Sequence, residues 1–499
     1  MRESVDRLFF ALANGADKTA VVFEGREWTF AQLDRLSRRY ARGLALAGVS
    51  AGDRVAVYAE TSPEVVVALL GHYRLGALHV PINTRYQGEE LSHVLEDSGA
   101  KAVLVGAGTE GERVLAEIPQ PPALRHRILL GGAGDLAFER LVRTHLPARE
   151  ADAEPAPKDA DTAILLYTSG TTGKSKGVEL SFCSIVENTL AVTGLWRFES
   201  ADRQAIALPL FHVHGLCLGV HGALLHTQTA LLFPRFDAER IADAFARDGA
   251  TVFQGVPTMY VRLLELMAAR PEAAQALRRG RLFTAGSAAL PADDFVAFEE
   301  RTGHRILERY GMSETLFTLS NLYEDRRPGT VGLPVPGCEI KIVDDELFVK
   351  SNGIMTGYWG KPAETAASFA DGWFATGDVA RRDADGAVSI LGRKSVDVIK
   401  SGGFKISARE IEDVLRRHPR VREVAVVGAP DRVWGQRIVA AVVTEGPAPS
   451  EEQLIEELSA FCARHLADYK RPRAVRILDE LPRNALGKVQ KHRILEIIG

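Results

Sequence analysis

The chain of 499 residues contains only four cysteines, Cys183, Cys217, Cys338 and Cys462, far apart and without metal-site spacing. So few, so dispersed, argue against a disulfide framework and read as reduced, buried thiols of a cytoplasmic protein. Charge of one sign is also lacking: 61 Lys and Arg against 65 Asp and Glu leave a formal net charge of −4. That balance gives no reason to expect nucleic acid or an acidic membrane as a partner. Long apolar runs are missing, since the most apolar helix, at residues 65–70, soon meets His72 and Arg74, too short for a bilayer. Met1-Arg2-Glu3-Ser4 leads into no apolar signal core, so export is not expected. There is no internal repeat and no low-complexity tract. What is present is an ordinary globular composition, 46% hydrophobic and 25% charged, in a chain too long for one core.

Residues 20–31 read as a strand pair turning at Glu24-Gly25. A helix to about Leu46 follows, with Thr29 and Gln32 as its capping box. A strand at 53–59, a helix capped by Ser62 with Pro63 in its first turn, and strands at 78–81 and 102–105 continue the alternation. That rhythm implies parallel sheets covered by helices. Residues 149–161, rich in Ala, Asp, Glu and Pro, read as a surface linker. A second α/β unit is expected from 162 to about 340, with strands at 203–208, 251–255 and 282–285 and a helix at 238–247. Residues 340–392 read as β-rich and turn-rich. Beyond them come a helix at 409–418, strands at 423–427 and 438–443, a Gly446-Pro447-Ala448-Pro449 break and a helix at 450–466.

The apolar run Thr162-Ala163-Ile164-Leu165-Leu166 reads as a buried strand. It leads into Tyr167-Thr168-Ser169-Gly170-Thr171-Thr172-Gly173-Lys174-Ser175-Lys176-Gly177. Glycines there let the backbone fold its N–H groups around an anion, hydroxyls add short donors, and Lys174 and Lys176 add charge. That is a phosphate cradle. It is not a Walker A loop, whose pattern demands glycine at position 168, where threonine stands.

This loop resembles that of the AMP-forming acyl-CoA synthetases, and the family's other blocks recur in order along nearly the whole chain. The resemblance implies an α/β fold: a large N-terminal domain, 1–392, of stacked α/β sheet subdomains plus a β-rich subdomain, and a small mobile α+β C-terminal domain, 393–499. It implies that Thr168, Ser169, Gly170, Thr171, Thr172, Gly173, Lys174 and Lys176 hold the phosphates of ATP. Ser287, Ala288 and Ala289 follow a strand end, where small residues let a flat ring approach the backbone, and in the family this block lies against adenine. Glu308, Arg309, Tyr310, Gly311, Met312, Ser313 and Glu314 match the block whose tyrosine stacks on adenine. Its glutamate, with Thr171, would help hold Mg2+, an ion that wants oxygen ligands beside substrate phosphates. Asp378, in Trp373-Phe374-Ala375-Thr376-Gly377-Asp378, would accept from both ribose hydroxyls, joined by Arg393. Arg393 also marks the domain joint, with Ser395 as the implied hinge. The turn Ser401, Gly402, Gly403 with Lys405 would border the passage for CoA. Lys488, in Pro482-Arg483-Asn484-Ala485-Leu486-Gly487-Lys488, matches the lysine set between the attacking carboxylate and the α-phosphate. Lys488, Glu314 and Thr171 form the implied catalytic set.

Two positions bear on the acid. Leu208-Pro209-Leu210-Phe211-His212-Val213-His214-Gly215 aligns with the segment where amino-acid-activating relatives place an aspartate, and His212 supplies no counter-charge for an ammonium. Arg309 stands where many relatives that bind apolar chains carry glycine. A lone buried guanidinium is costly unless a carboxylate pairs with it. With Ser287 and Met312, these residues are expected to line the acyl pocket, and the combination resembles malonyl-CoA synthetases. The implied reaction joins a small dicarboxylate, malonate or methylmalonate, to CoA through an acyl-AMP, releasing AMP and pyrophosphate. Removal of its charge by a protein acetyltransferase acting on Lys488 would switch the enzyme off. The alternatives are another acyl- or aryl-CoA ligase, a loader of a carrier protein, or an inactive acyl-nucleotide-binding protein. The last is opposed by the presence of both Glu314 and Lys488.

Overall fold

The computed structural model describes residues 4–132, 136–145, 157–168, 175–394, 397–401, 404–484 and 487–498. They fall into two compact units, the first comprising Met1–Pro328, Pro334–Glu339 and Lys350–Phe369, the second Gly329–Leu333, Ile340–Val349 and Ala370–Gly499.

The first unit holds two large sheets. One has eight strands in the spatial order Gly357–Tyr358, Lys176–Ser181, Thr162–Thr168, Leu78–Pro81, Arg54–Tyr58, Ala102–Gly106, His126–Leu130 and Leu136–Ala137. Its central strands are parallel, and their aliphatic side chains are buried throughout, as expected where helices cover both faces. The other sheet runs from Leu316–Ser320 through Leu307–Met312, Leu282–Ala285, Val252–Gly255, Arg203–Ile206, Thr229–Leu232 and Thr19–Phe23 to Arg26–Thr29.

These memberships correct the expectation of two α/β units consecutive in sequence. The N-terminal hairpin belongs to the second sheet, where Val21 lies opposite Ala230. Thr162–Thr168 and Lys176–Ser181 belong to the first, where Ile164 lies opposite His79. The two sheets therefore exchange strands. Locally the sequence reading holds: Glu24 and Gly25 both take positive φ, as a two-residue hairpin turn requires. Thr29 and Gln32 make both bonds of the capping box on Phe30–Leu46. Ser62 does not cap Pro63–Leu75 through its side chain, and its buried hydroxyl has no partner. Most of the linker expected at 149–161 lies outside the described residues.

Aromatic packing fixes the second sheet from one side. Phe283 stacks on Phe245 at 5.2 Å and meets Phe298 at 5.1 Å, so helices Ala238–Arg247 and Ala292–Thr302 clamp strand Leu282–Ala285. Against strand Arg203–Ile206 lies a π-helix, His214–His221, with Gly219 packed on Ile206. Gly215 is required at its start, because a Cβ there would sit 2.5 Å from the Pro209 carbonyl oxygen.

In the second unit, Trp373–Arg382 pairs antiparallel with Val388–Arg393. A separate sheet places Phe404–Ser407, Val398–Ser401, Gly435–Thr444 and Val421–Asp431 in order, with Ala474–Ile477 parallel to Gly435–Thr444. Alternate residues of its long hairpin face two cores. Val424, Val426 and Ala440 meet helices Ala408–Leu415 and Glu451–Cys462, whereas Ala425, Val427 and Ala441 meet Ile494 of Lys491–Ile498. All four cysteines are free thiols. Among the described residues no helix is long and apolar enough to cross a membrane.

Candidate active site

In the first unit, strands Leu282–Ala285 and Leu307–Met312 run parallel, with Thr284 opposite Leu307 and Ala285 opposite Glu308. The turn after the first strand brings Gly286 and Ser287 beside Arg309, the third residue of the second. Ser287 takes φ of 67°, a left-handed turn uncommon for a residue with a side chain and a frequent mark of functional loops. Gly286 is needed beside it, since a Cβ would lie 2.6 Å from Arg309 Nε.

Arg309 is 3% exposed, and its Nε and Nη2 have no hydrogen-bond partner. Burial pushes its guanidinium down to about 9. Its Cζ lies 5.0 Å from the centre of the Phe317 ring, a cation–π contact that cannot replace two missing hydrogen bonds. The Glu308 backbone carbonyl accepts from Asn321 N and Nδ2. An anionic ligand would satisfy the Arg309 guanidinium.

His214 opens the π-helix, with Nδ1 3.4 Å from Ser287 Oγ and Nε2 buried without a partner. Burial first, then the neighbouring Arg309 and His212, holds its ring far below the usual imidazole value, so it is neutral. In the tautomer where the Ser287 hydroxyl donates to Nδ1, Nε2 would carry the proton and need an acceptor; in the other tautomer it would need a donor. The half-buried His212, singled out from the sequence, packs on Phe211 at 4.8 Å, and loss of water pushes it down to about 4. His214 was missed by sequence reasoning, although it stands two residues further along the same Phe-His-Val-His-Gly motif. Also missed were Gln254 and Thr284, opposite each other in register, whose Oε1 and Oγ1 are buried and unpartnered on the sheet face that carries Arg309. This face of the sheet is thus polar beside Arg309, where an apolar acyl chain would need hydrocarbon.

Tyr310, Gly311 and Met312 continue the Arg309 strand, and Gly311 admits the Leu316 carbonyl oxygen to within 1.9 Å of where a Cβ would sit. Ser313 joins this strand to the buried Glu314, whose Oε1 accepts from the Tyr358 hydroxyl at 3.1 Å. Tyr358 in turn lies under Lys176, 5.1 Å from ring centre to Nζ, and Lys176 is also ion-paired with Glu364. Lys176 stands opposite Thr168 across the strands flanking the phosphate loop. The loop residues Ser169, Gly170, Thr171, Thr172, Gly173 and Lys174 lie outside the described residues. Ala288 and Ala289 are exposed after Ser287, leaving room for a flat ring. One carboxylate, Glu314, suits magnesium, which usually keeps waters and substrate phosphates rather than an all-protein cage. No group of three or more His, Cys, Asp or Glu that could hold a metal ion occurs among the described residues.

In the second unit, Asp378 and Arg393 are opposite in register and joined by an Nε–Oδ1 contact of 3.0 Å. Arg393 also donates from Nη1 to the Thr376 carbonyl at 2.7 Å. Ser401 ends a strand with its hydroxyl buried and unpartnered, whereas Gly402, Gly403 and the Lys405 side chain lie outside the description. Lys488 is exposed on a tight turn: Asn484 N donates to its carbonyl at 2.8 Å, and its own N donates to Asn484 Oδ1 at 2.9 Å. Gly487 precedes it with φ of 77°.

Comparison with known proteins agrees with this arrangement. Residues 9–359 match the model of AMP-binding enzymes, and residues 410–488 that of the AMP-binding enzyme C-terminal domain. A malonate–CoA ligase of Arabidopsis thaliana is 35% identical over an alignment covering 97% of this chain and 87% of its own. The crystal structure of ATP-bound MatB from Rhodopseudomonas palustris matches with a TM-score of 0.89 at 34% identity, over 99% of each chain. A malonyl-CoA ligase in ternary product complex with methylmalonyl-CoA and AMP is 39% identical, with a TM-score of 0.68 over 95% of this chain and 99% of its own. The sequence blocks, the paired sheets and these matches place the chain in the AMP-binding enzyme family.

Proposed function

We propose that this protein is an ATP-dependent, AMP-forming acid–CoA ligase whose acid is malonate, with methylmalonate as a second substrate. The observation that carries the choice of acid is Arg309, a buried guanidinium with two unpartnered nitrogens, Nε and Nη2, beside the neutral His214 and the Ser287 hydroxyl. The distal carboxylate of malonate would satisfy them, leaving the proximal carboxylate to react. Monocarboxylates would leave the cation buried and alone.

In the first step the proximal carboxylate attacks the α-phosphorus of ATP, forming the acyl-AMP and releasing pyrophosphate. Thr168, Ser169, Gly170, Thr171, Thr172, Gly173, Lys174 and Lys176 would cradle the phosphates; Ser287, Ala288, Ala289 and Tyr310 would hold the adenine. Asp378 and Arg393 would hold the ribose, and Lys488 would neutralise charge developing between carboxylate and phosphate. Magnesium, held by Glu314 and Thr171 beside the phosphates, would supply further charge neutralisation. In the second step the CoA thiolate attacks the acyl carbonyl and AMP leaves, with Ser401, Gly402, Gly403 and Lys405 bordering its path. We place the pivot between these states at Ser395, the hinge that the family resemblance implies.

The test is AMP release from malonate, methylmalonate, acetate and butyrate, with and without CoA. Malonate is expected to exceed butyrate in kcat/KM by about 30-fold or more. A preferred monocarboxylate would overturn the choice of acid, and no AMP from any acid would overturn the ligase. Lys488→Ala should slow adenylation by roughly 10²–10³ while sparing thioester formation from supplied acyl-AMP. Because Lys488 is exposed, a protein acetyltransferase would have access to it, and acetylation should mimic the substitution.

A further inference from the structure

Three residues beyond Lys488, at the start of helix Lys491–Ile498, a second lysine is clasped rather than displayed. The Lys491 side chain is only 12% exposed, and its Nζ lies 2.5 Å from Asp397 Oδ1 and 2.7 Å from Glu412 Oε1. Both carboxylates are further satisfied by backbone. Asp397 Oδ2 accepts from Arg393 N at 2.9 Å, and Glu412 Oε1 accepts from Val426 N at 2.7 Å. Asp397 N also donates to the Arg393 carbonyl at 2.8 Å, so residues 393 and 397 are tied together twice. One buried cation thus joins three separate parts of the unit. These are the segment after the Asp378–Arg393 pair, the helix Ala408–Leu415, and the C-terminal stretch carrying Lys488. A buried ion cluster adds little to stability over an apolar core, but its geometry is exacting, which suits it to fixing register.

We propose that Lys491 is a positioning residue for adenylation: its ion pairs with Asp397 and Glu412 lock the Lys488 turn to the segment that follows the ribose-binding pair. This rests on the assignment of Lys488 to the first half-reaction. The hydrogen bonds that the Asp397 and Glu412 carboxylates accept from backbone N–H groups do not involve the lysine, so the cation is the removable part of the lock.

The experiment uses the full chain and measures the half-reactions separately, ATP–pyrophosphate exchange with malonate and thioester formation from supplied malonyl-AMP and CoA. Lys491→Met should lower exchange about 10- to 100-fold and leave thioester formation within about threefold. Lys491→Arg, which keeps the charge, should restore most of the exchange. Should Lys491→Met fail to fold, Asp397→Asn retains an acceptor for Arg393 N and should show the same split. Where both singles fold, the double substitution should be no worse than either alone, as for residues acting through one contact. Equal losses in both half-reactions, or exchange unchanged in Lys491→Met or Asp397→Asn, would overturn the proposal. Lys488→Ala separates its failure from that of the underlying assignment. If that variant loses exchange while Lys491→Met does not, only the lock is wrong. If Lys488→Ala keeps exchange, the role of Lys488 itself is wrong.

Discussion

A guanidinium needs a carboxylate or water, and Arg309 has neither partner on Nε or Nη2 within the protein. Its replacement should therefore act on one substrate more than another. Arg309→Gly should lower kcat/KM for malonate by about 30- to several-thousand-fold, the cost of about 2–5 kcal/mol for truncating one partner of a desolvated charge pair. Butyrate should improve, because the pocket widens and loses an unpaired cation. The ratio of the two, measured with thermal stability as control, decides the matter; a ratio within about threefold of wild type would remove the dicarboxylate assignment. Gly286→Ala probes the same group from behind. Its new Cβ would lie 2.6 Å from Arg309 Nε, the flexible end of a side chain, so the guanidinium would swing aside while the fold survives. KM for malonate should rise about tenfold with KM for ATP little changed. Equal rises in both would show that the glycine serves the backbone alone. Arg309 itself was legible in the sequence, because it interrupts a recognisable motif with a charge. His214 was not, because two histidines flank Val213 and only the start of the π-helix decides which one meets Ser287.

At the level of elements, most local signals were read correctly, the Ser62 cap excepted, and long-range pairings were not. The capping box of Thr29 with Gln32, the helix Ala238–Arg247 and the strand Leu282–Ala285 are written in a few neighbouring residues. Strand exchange between the sheets is written nowhere locally, since an aliphatic strand accepts any partner of suitable register. The π-helix is hidden for a related reason: its apolar sequence is buried on every side and shows no useful period. Its start can be tested. Gly215→Ala would bring a Cβ 2.5 Å from the Pro209 oxygen and 2.8 Å from the Leu208 oxygen, both backbone atoms unable to yield. The helix start must shift, moving His214. A loss of about 1–3 kcal/mol in chemical unfolding is expected, with malonate turnover falling further than the stability change explains. Wild-type stability in this variant would mean that the tight entry is not a constraint.

For the molecule as a whole, the buried histidines set its response to acid. His72, His79, His214 and His221 are all at most 1% exposed. Burial pushes His72 down to about 3 and His221 to about 4, and holds His79 and His214 well below the usual 6.5. The unfolded chain takes up protons on these rings below about pH 6.5, whereas in the folded chain His72 does so only near 3 and His221 near 4, and His79 and His214 well below 6.5. Between those limits the unfolded state binds more protons, so stability rises with pH and is lost on acidification. At pH 5.5 His72 and His221 each contribute about 1.4 kcal/mol of that loss, and His79 and His214 act in the same direction. Chemical unfolding at pH 7.5 and 5.5 should show it, and a difference below about 1 kcal/mol would contradict the neutral, buried state of these rings.

The exchange of strands also has a consequence for how the chain is made. The hairpin of Thr19–Phe23 and Arg26–Thr29 leaves the ribosome well before the strand it pairs with, Thr229–Leu232, which lies roughly 200 residues later. Translation at about 5–20 residues per second puts some 10–40 s between the two. Throughout that interval the inner edge of the hairpin, Val21 and Val22, has no sheet to join, and any competing strand can take the place reserved for Ala230 and Leu231.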